Sequence, residues 1–346
     1  MGIAVGAGVS RPSGDDSWVD AYEESLDQQE TGHKPRTKRR PRHEDAAPAL
    51  VVGVDRGRYR LVLDTGTALT ANRARELRRD AIVVGDRVDV VGDLTGADGT
   101  LGRVVRIHPR TNVLRRSADD SDQFERVIVA NADQLLMVVA THDPEPRPRL
   151  IDRYLVAAID AGITPILCVT KTDLGSADEL TDYARVADID AVCLRSDGES
   201  DDLARLVDLL TDKTTVAVGH SGVGKSTLVN RLVPGALREV GVVNVHTGRG
   251  RHTSSSSRAL PLAAGGWIID TPGVRSFGLG HVAPEAIDRG FSDLQDYLEA
   301  CPRGCQHQAA DVDCALRAAT DSVDPLTAAR IDSLIRLRGL AGAGSG

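Results

Sequence analysis

Gly219-His220-Ser221-Gly222-Val223-Gly224-Lys225-Ser226 is the stretch on which the fold turns. It matches G-x-x-x-x-G-K-[ST] at every fixed position, and Val216-Ala217-Val218 before it reads as a short buried strand. Thr227-Leu228-Val229-Asn230-Arg231-Leu232 behind it opens a helix. A glycine-rich turn between strand and helix lets backbone N–H groups close around a β-phosphate at the helix N-terminus. In such a turn Lys225 reaches the β/γ oxygens and the Ser226 hydroxyl holds Mg²⁺. Further out, Trp267-Ile268-Ile269-Asp270 is a second apolar run ending in an acid, followed by Thr271-Pro272-Gly273. Asp270 at a strand's C-terminal end would hold Mg²⁺ through water, and the Gly273 N–H would sense a γ-phosphate. Alone, D-T-P-G also reads as a simple turn; behind a phosphate loop it reads as a switch.

Pro165-Ile166-Leu167-Cys168-Val169 is a third buried run, and it delivers Thr170-Lys171-Thr172-Asp173. A carboxylate here accepts from guanine's ring N–H and exocyclic amine, a donor pair adenine lacks, so a site built for one base leaves an acid unpaired with the other. The Lys171 stem would pack along base and ribose. Thr170 stands where this motif usually has Asn. This base-reading motif precedes the phosphate loop by about fifty residues, whereas the usual order places it after. Such an order is that of a circularly permuted guanine-nucleotide domain. The last base-contacting loop, normally Ser-Ala followed by a glycine-rich stretch, is degraded to Leu194-Arg195-Ser196-Asp197-Gly198, with Ser196 as its candidate.

At 346 residues the chain is long enough for two or three domains, and 41% hydrophobic residues supply a sizeable core. No apolar run approaches a membrane span and the N-terminus lacks a signal-peptide pattern, which points to the cytoplasm. Five cysteines, three of them clustered with a histidine, suit a reducing compartment and a metal better than disulfides. A net charge of −8 argues against a chain basic all over, so nucleic-acid contact would have to be local.

Residues 1–47 lack hydrophobic periodicity and read as a disordered tail. Within it Lys34-Pro35-Arg36-Thr37-Lys38-Arg39-Arg40-Pro41-Arg42 carries six positive charges in nine residues, either a solvated linker or an arm that settles on phosphates. From 48 to 116 the pattern changes to short strands: Leu50–Val54, Tyr59–Leu63, Ala68–Ala71, Arg87–Val91 and Leu101–Ile107, with glycines between or beside them. Five such strands predict a small closed barrel of the OB type, structural or RNA-binding. Arg73, Arg75, Arg78 and Arg79 cluster after its third strand.

Val127-Ile128-Val129 and Leu135–Val139 begin an alternation of strands and helices, with helical spacing over Ile151–Ala161, which predicts an α/β domain with a parallel sheet over 117–283. Behind it, 284–340 form a small α-helical module carrying Cys301-x₃-Cys305-x-His307-x₆-Cys314, with 341–346 as a frayed end. Three thiolates and an imidazole satisfy tetrahedral zinc, and a closed four-ligand site is structural. A segment this polar lacks the apolar burial to hold its shape, so metal binding would supply folding energy. Cys168 and Cys193 read as core. Helix-like spacing covers Ala286–Tyr297 and Leu326–Leu337.

Barrel, permuted nucleotide domain and Cys₃His module, in that order, resemble the circularly permuted ribosome-assembly GTPases known as RsgA or YjeQ. The likeness covers about residues 48–320. It extends to Pro109-Arg110-Thr111-Asn112-Val113-Leu114-Arg115-Arg116, Ala130-Asn131-Ala132-Asp133-Gln134, Ile151-Asp152-Arg153-Tyr154-Leu155 and the first switch, Gly248-Arg249-Gly250-Arg251-His252-Thr253. The resemblance implies hydrolysis of GTP to GDP with Mg²⁺, one structural Zn²⁺, and stimulation by the small ribosomal subunit late in its maturation. It also implies that barrel and zinc module grip ribosomal RNA, in a cytoplasmic protein read here as a monomer. It assigns Thr253 as the second Mg²⁺ hydroxyl. Many GTPases carry a water-orienting Gln after D-T-P-G, but Val274 and Arg275 stand here, and His252 is similar to a family histidine proposed for that role. The catalytic candidates are therefore His252, Lys225 and Thr253. The nucleotide contacts are Thr170, Lys171, Thr172, Asp173, Ser196, the run Gly219 to Thr227, Asp270 and Gly273. The cysteine spacing departs from the family, x₃ where many members have x₄. Two rival readings stand beside this one: an RNA-binding scaffold with a vestigial nucleotide site, and a P-loop ATPase unrelated to ribosomes.

Overall fold

Alternation of apolar and polar residues builds the first five strands: β1 (Ala47–Asp55), β2 (Arg58–Leu63), β3 (Ala68–Arg73), β4 (Arg87–Gly92) and β5 (Gly102–Ile107). Residues Ala49, Val51, Tyr59, Leu61, Leu69, Val88, Val90 and Val104 point inward on successive strands and share one core. Our computed structural model describes residues 43–77, 81–116, 126–198, 202–235, 257–271, 277–280 and 282–343. The basic run Lys34–Arg42, Arg78, Arg79, His252, Thr253 and Gly273 lie outside the described residues. The strands close in the order β1-β2-β3-β5-β4 and back to β1, with β3 and β5 parallel, the topology of an OB barrel. A Cβ at Gly102 would lie 2.9 Å from Val90 Cγ2 and 3.1 Å from Leu69 Cδ1, so the small barrel closes there only around a glycine.

The strand expected at 127–129 does not join the nucleotide sheet. β6 (Val113–Arg116) and β7 (Arg126–Ala130) pair with each other as a separate two-stranded ladder. This ladder has one strand on either side of the boundary expected at 116/117, because β7's ladder partner precedes it in the chain. Side chains of the barrel exit then pin the junction. Arg110 donates to both Asp86 carboxylate oxygens, at 2.7 and 2.8 Å, and to the Ala81 carbonyl at 2.6 Å. Asn112 exchanges two hydrogen bonds with the Ala132 backbone, at 2.8 and 3.0 Å. Asn131 accepts from the Thr111 N–H and donates to the Gly85 carbonyl.

The nucleotide domain runs β8 (Gln134–Ala140), α1 (Pro148–Asp160), β9 (Thr164–Thr170), α2 (Asp178–Val186), β10 (Asp190–Leu194), α3 (Asp202–Leu210), β11 (Thr214–Gly219), α4 (Lys225–Leu232), β12 (Arg258–Pro261) and β13 (Trp267–Asp270). Every residue of β8 is buried, as a central parallel strand covered on both faces requires. The order is β10-β9-β8-β11-β13-β12, parallel except for the antiparallel pair β12–β13. Helices cover both faces, with two separate apolar clusters on the two sides of the sheet. Gly53 of β1 pairs with Arg258 of β12, so barrel and nucleotide sheet form one eleven-stranded sheet.

The C-terminal module holds α5 (Pro284–Arg289), α6 (Gln295–Ala300), α7 (Ala315–Ala319) and α8 (Pro325–Ala343). The single helix expected over Ala286–Tyr297 is broken into α5, a 3₁₀ turn at Ser292–Leu294 and α6. A Cβ at Gly290 would lie 2.8 Å from Val156 Cγ2, so α5 ends where the backbone touches α1. Where the sequence predicts a frayed end from 341, α8 continues to Ala343. Interior glycines cost a helix only about 1 kcal/mol each, and Leu337 and Leu340 pack on the main core.

Arg330 of α8 is 1% exposed and ties this module to the nucleotide domain. It donates to Asp152 of α1 at 2.9 Å, to Asp293 at 2.7 and 2.5 Å, and to the Gly290 carbonyl at 3.1 Å. Tyr183 of α2 donates to the same Asp152 at 2.7 Å, and the guanidinium lies over the Tyr183 and Phe291 rings. A buried guanidinium needs such partners. Among the described residues no helix is long and apolar enough to cross a membrane.

Candidate functional site

β11 enters the phosphate loop through Gly219, where a Cβ would lie 2.6 Å from the Val138 carbonyl oxygen of β8. Only glycine lets the loop leave the sheet this close to its neighbour. Gly222 and Gly224 have φ of 88° and 89°, the left-handed region that glycine enters without strain. Lys225, Ser226 and Thr227 form the first turn of α4, whose unpaired N–H groups face the loop. His220 Nε2 accepts at 3.4 Å from Nη1 of Arg147, the residue ahead of α1.

The parallel pairing of β11 with β13 sets Ala217 opposite Asp270. Lys225 Nζ is ion-paired with Asp270 Oδ1, both side chains partly buried. The amine expected to face phosphate oxygens therefore rests on the acid expected to face Mg²⁺. Both lie within one charge-neutral cluster, and a polyanion with its metal would divide the pair between them. Thr271 Oγ1 donates to the Ala217 carbonyl at 2.9 Å, fixing the start of the switch turn against the phosphate-loop strand.

The base-reading motif leaves β9 two strands away. Thr170, 7% exposed, donates through Oγ1 to the Val223 carbonyl at 2.6 Å, a contact between residues 53 apart in sequence. A hydroxyl thus joins the two motifs where the usual Asn is missing. Lys171, at φ 59°, turns its amine onto the Asp143 carbonyl, while its own carbonyl accepts from Thr141 Oγ1 at 2.6 Å. Thr172 N–H donates to Leu194 O at 3.3 Å. Asp173 accepts from the Ser196 backbone N–H at 2.7 Å, and that hydrogen bond is the main reason its carboxyl is held below the ordinary aspartate range. The structure therefore brings Thr170, Lys171, Thr172, Asp173, Ser196, the phosphate loop and Asp270 to the C-terminal edge of one parallel sheet, where α/β folds place their ligands.

Cys301, Cys305, His307 and Cys314 offer ligand atoms all within 4.8 Å of one another. His307 Nδ1 lies 3.6, 3.4 and 3.5 Å from the sulfurs of Cys301, Cys305 and Cys314, and the Cys301 and Cys314 sulfurs are 4.0 Å apart. A tetrahedral ion with Zn–S of about 2.3 Å and Zn–N of about 2.05 Å needs edges of roughly 3.6 Å for N–S and 3.8 Å for S–S. The donor set fits that ion. Cys301 ends α6 and Cys314 begins α7, so the cluster staples two short helices. The x₃ spacing is absorbed by Gly304 at φ 83°. Burial holds the His307 imidazole below its ordinary value, in the neutral form a ligand needs.

Two residues around the site carry no motif. Arg231 in the last turn of α4 donates to the carbonyls of Arg195 and Gly198. The sequence signal for Arg330 is a charge on the apolar stripe Leu326, Arg330, Leu334, Leu337, which requires a partner buried with it.

The RsgA GTPase family model matches residues 107–280. The small ribosomal subunit biogenesis GTPase RsgA of Chromohalobacter salexigens is 41% identical over 259 residues, 73% of this chain and 74% of that one. Its namesake in Haemophilus influenzae is 36% identical over 282 residues, 79% of each. In fold the chain is similar to the crystal structure of YjeQ from Thermotoga maritima, with TM-score 0.63 and 22% identity over 86% of this chain and 98% of that one. It is likewise similar to YloQ, a circularly permuted GTPase, with TM-score 0.61 and 24% identity over 89% and 99% of the two chains. This chain belongs to the RsgA GTPase family and is a GTP hydrolase.

Proposed function

We propose that this chain binds the small ribosomal subunit late in its maturation and hydrolyses GTP to GDP and phosphate in response to it. The names of its relatives support the particle. The contact between Thr170 and Val223 supports the nucleotide, because it sets the base-reading acid and the phosphate loop on one site despite their reversed order. In this reading Asp173 selects guanine, Lys171 packs along the base, and the α4 N-terminus with Lys225 receives the phosphates. Bound Mg²⁺ would neutralise charge on the β- and γ-phosphates, with Ser226, Asp270 and Thr253 as its holders. With nucleotide bound, Lys225 would exchange Asp270 for the phosphate oxygens, which would free Asp270 to hold the metal. His252 orients the attacking water.

Zinc is the ion we assign to Cys301, Cys305, His307 and Cys314, in a structural role, since four protein ligands leave no open position. Ribosomal RNA is the partner we assign to the barrel. Arg58, Asn72 and Arg103 are cross-strand neighbours on β2, β3 and β5, all exposed, and form a polar, basic row on the outer barrel wall. Such a row can follow a phosphate backbone without the whole chain being basic. The protein acts in the cytoplasm as a monomer.

Steady-state GTP hydrolysis with and without purified small subunits, large subunits as control, tests the proposal. Stimulation by small subunits alone is expected. Equal turnover in all three mixtures would overturn the ribosomal assignment, and equal use of ATP would overturn the assignment of Asp173.

A further inference from the structure

The peptide plane between Arg195 and Ser196 is gripped from both sides. Its N–H donates to Asp173 Oδ1 at 2.7 Å, and its carbonyl accepts from Arg231 Nη1 at 3.3 Å. A trans peptide points these two groups in opposite directions, so one plane spans the gap between the base-reading acid and the phosphate-loop helix. Arg231 Nη2 also donates to the Gly198 carbonyl at 3.2 Å, closing the loop three residues on. Gly198 has φ 84°, and a Cβ there would lie 3.7 Å from Arg231 Nη2, so loop backbone and guanidinium are already at packing distance. Within the loop Arg195 is also paired with Asp197 at 2.6 Å.

We propose that Arg231 is a positioning residue for guanine recognition: by holding the Arg195–Ser196 peptide it fixes the Ser196 N–H that orients the Asp173 carboxylate. This deepens the guanine-site assignment above and rests on it. The loop lacks the Ser-Ala and glycine-rich sequence that usually shapes it, and a donor from another element takes over that work. A half-buried carboxylate can still turn about its last side-chain bond. With one oxygen held by Ser196, the remaining lone pairs stay aimed at the ring N–H and exocyclic amine of the base. A basic side chain in the last turn of a helix also favours the helix dipole, and a purely structural Arg231 would do no more than that.

The two roles separate in the kinetics of the full-length protein, using GTP and ITP, whose base lacks the exocyclic amine. Arg231→Ala should raise KM for GTP about five- to tenfold with kcat changed less than about twofold, as expected for loss of hydrogen bonds from a charged donor. KM for ITP should rise less, so the preference for GTP over ITP narrows. Arg231→Lys keeps the charge but spans only one carbonyl, and should fall between wild type and alanine; it also decides the matter if the alanine variant does not fold. KM for GTP and the GTP/ITP ratio both within twofold of wild type in both variants would overturn the proposal. So would a loss of kcat equal for both nucleotides with KM unchanged. A wild-type protein with no preference for GTP over ATP would instead bring down the assignment of Asp173 itself.

Discussion

The hydroxyl of Thr170 donates to the carbonyl of Val223 at 2.6 Å, and this one hydrogen bond ties the base-reading strand to the phosphate loop. Thr170→Val keeps the shape and removes the donor, leaving a buried carbonyl unpaired at a cost of about 1–3 kcal/mol. GTP affinity should fall together with thermal stability, and Thr170→Ser should restore both. Titration with GTP alongside thermal unfolding checks this; a valine variant with wild-type affinity would show that the loop holds itself.

Lys225→Ala should remove hydrolysis, by about 10³-fold or more, because the amine is the charge the loop brings to the phosphates. The substitution also strips Asp270 of its ion-pair partner, so turnover is to be read against a folding control. Ordinary turnover in that variant would count against the site.

Asp173→Asn keeps an oxygen for the Ser196 N–H but exchanges an acceptor for a donor toward the base. Preference should shift from guanine to xanthine nucleotides, measured as the ratio of kcat/KM for XTP and GTP. An unchanged ratio would refute the role of Asp173.

Purified protein should carry one zinc per chain by elemental analysis, and Cys314→Ser or Cys305→Ser should lose it. Loss of the staple between α6 and α7 should lower the unfolding temperature by about 5 °C or more. Acid should release the metal as the thiolates take up protons. A chain that is metal-free at neutral pH, with the cysteine variants as stable as wild type, would end the zinc assignment.

Arg330→Ala should destabilise the protein by about 3–5 kcal/mol, because it strands Asp152 and Asp293. Burial pushes the Asp152 carboxyl above its ordinary value, and Arg330 pulls it back. An acid whose folded value is raised costs stability above that value and nothing below the ordinary carboxylate range, where it is protonated in both states. The deficit of Arg330→Ala should therefore shrink as the pH is lowered, and adding Asp152→Asn should recover part of it at neutral pH. Denaturant midpoints across pH check both; a deficit independent of pH would locate the loss elsewhere.

Much of the barrel was legible because its strands alternate with period two between glycine turns, a local signal. The single helix expected over Ala286–Tyr297 fails for the opposite reason: its spacing is helical, but Gly290 breaks it against Val156, more than a hundred residues earlier. Val127–Val129 looked like the first strand of the nucleotide sheet, since nothing local says which partner a short apolar strand will choose. At the site, the loops of Gly219–Ser226 and Thr170–Asp173 were readable from their residues alone. Arg231 was not, because its partners are backbone carbonyls, which leave no trace in side-chain identity.

The order of the motifs, the donor set Cys301, Cys305, His307 and Cys314, and the carboxylate at 173 came from sequence alone, since each is chemistry carried by residues close together in the chain. Tertiary structure alone decided that Gly53 of the barrel extends the nucleotide sheet through Arg258, and that Arg330 reaches Asp152 across 178 residues. Both depend on which surfaces meet when apolar faces are buried, and burial is a property of the whole packed chain.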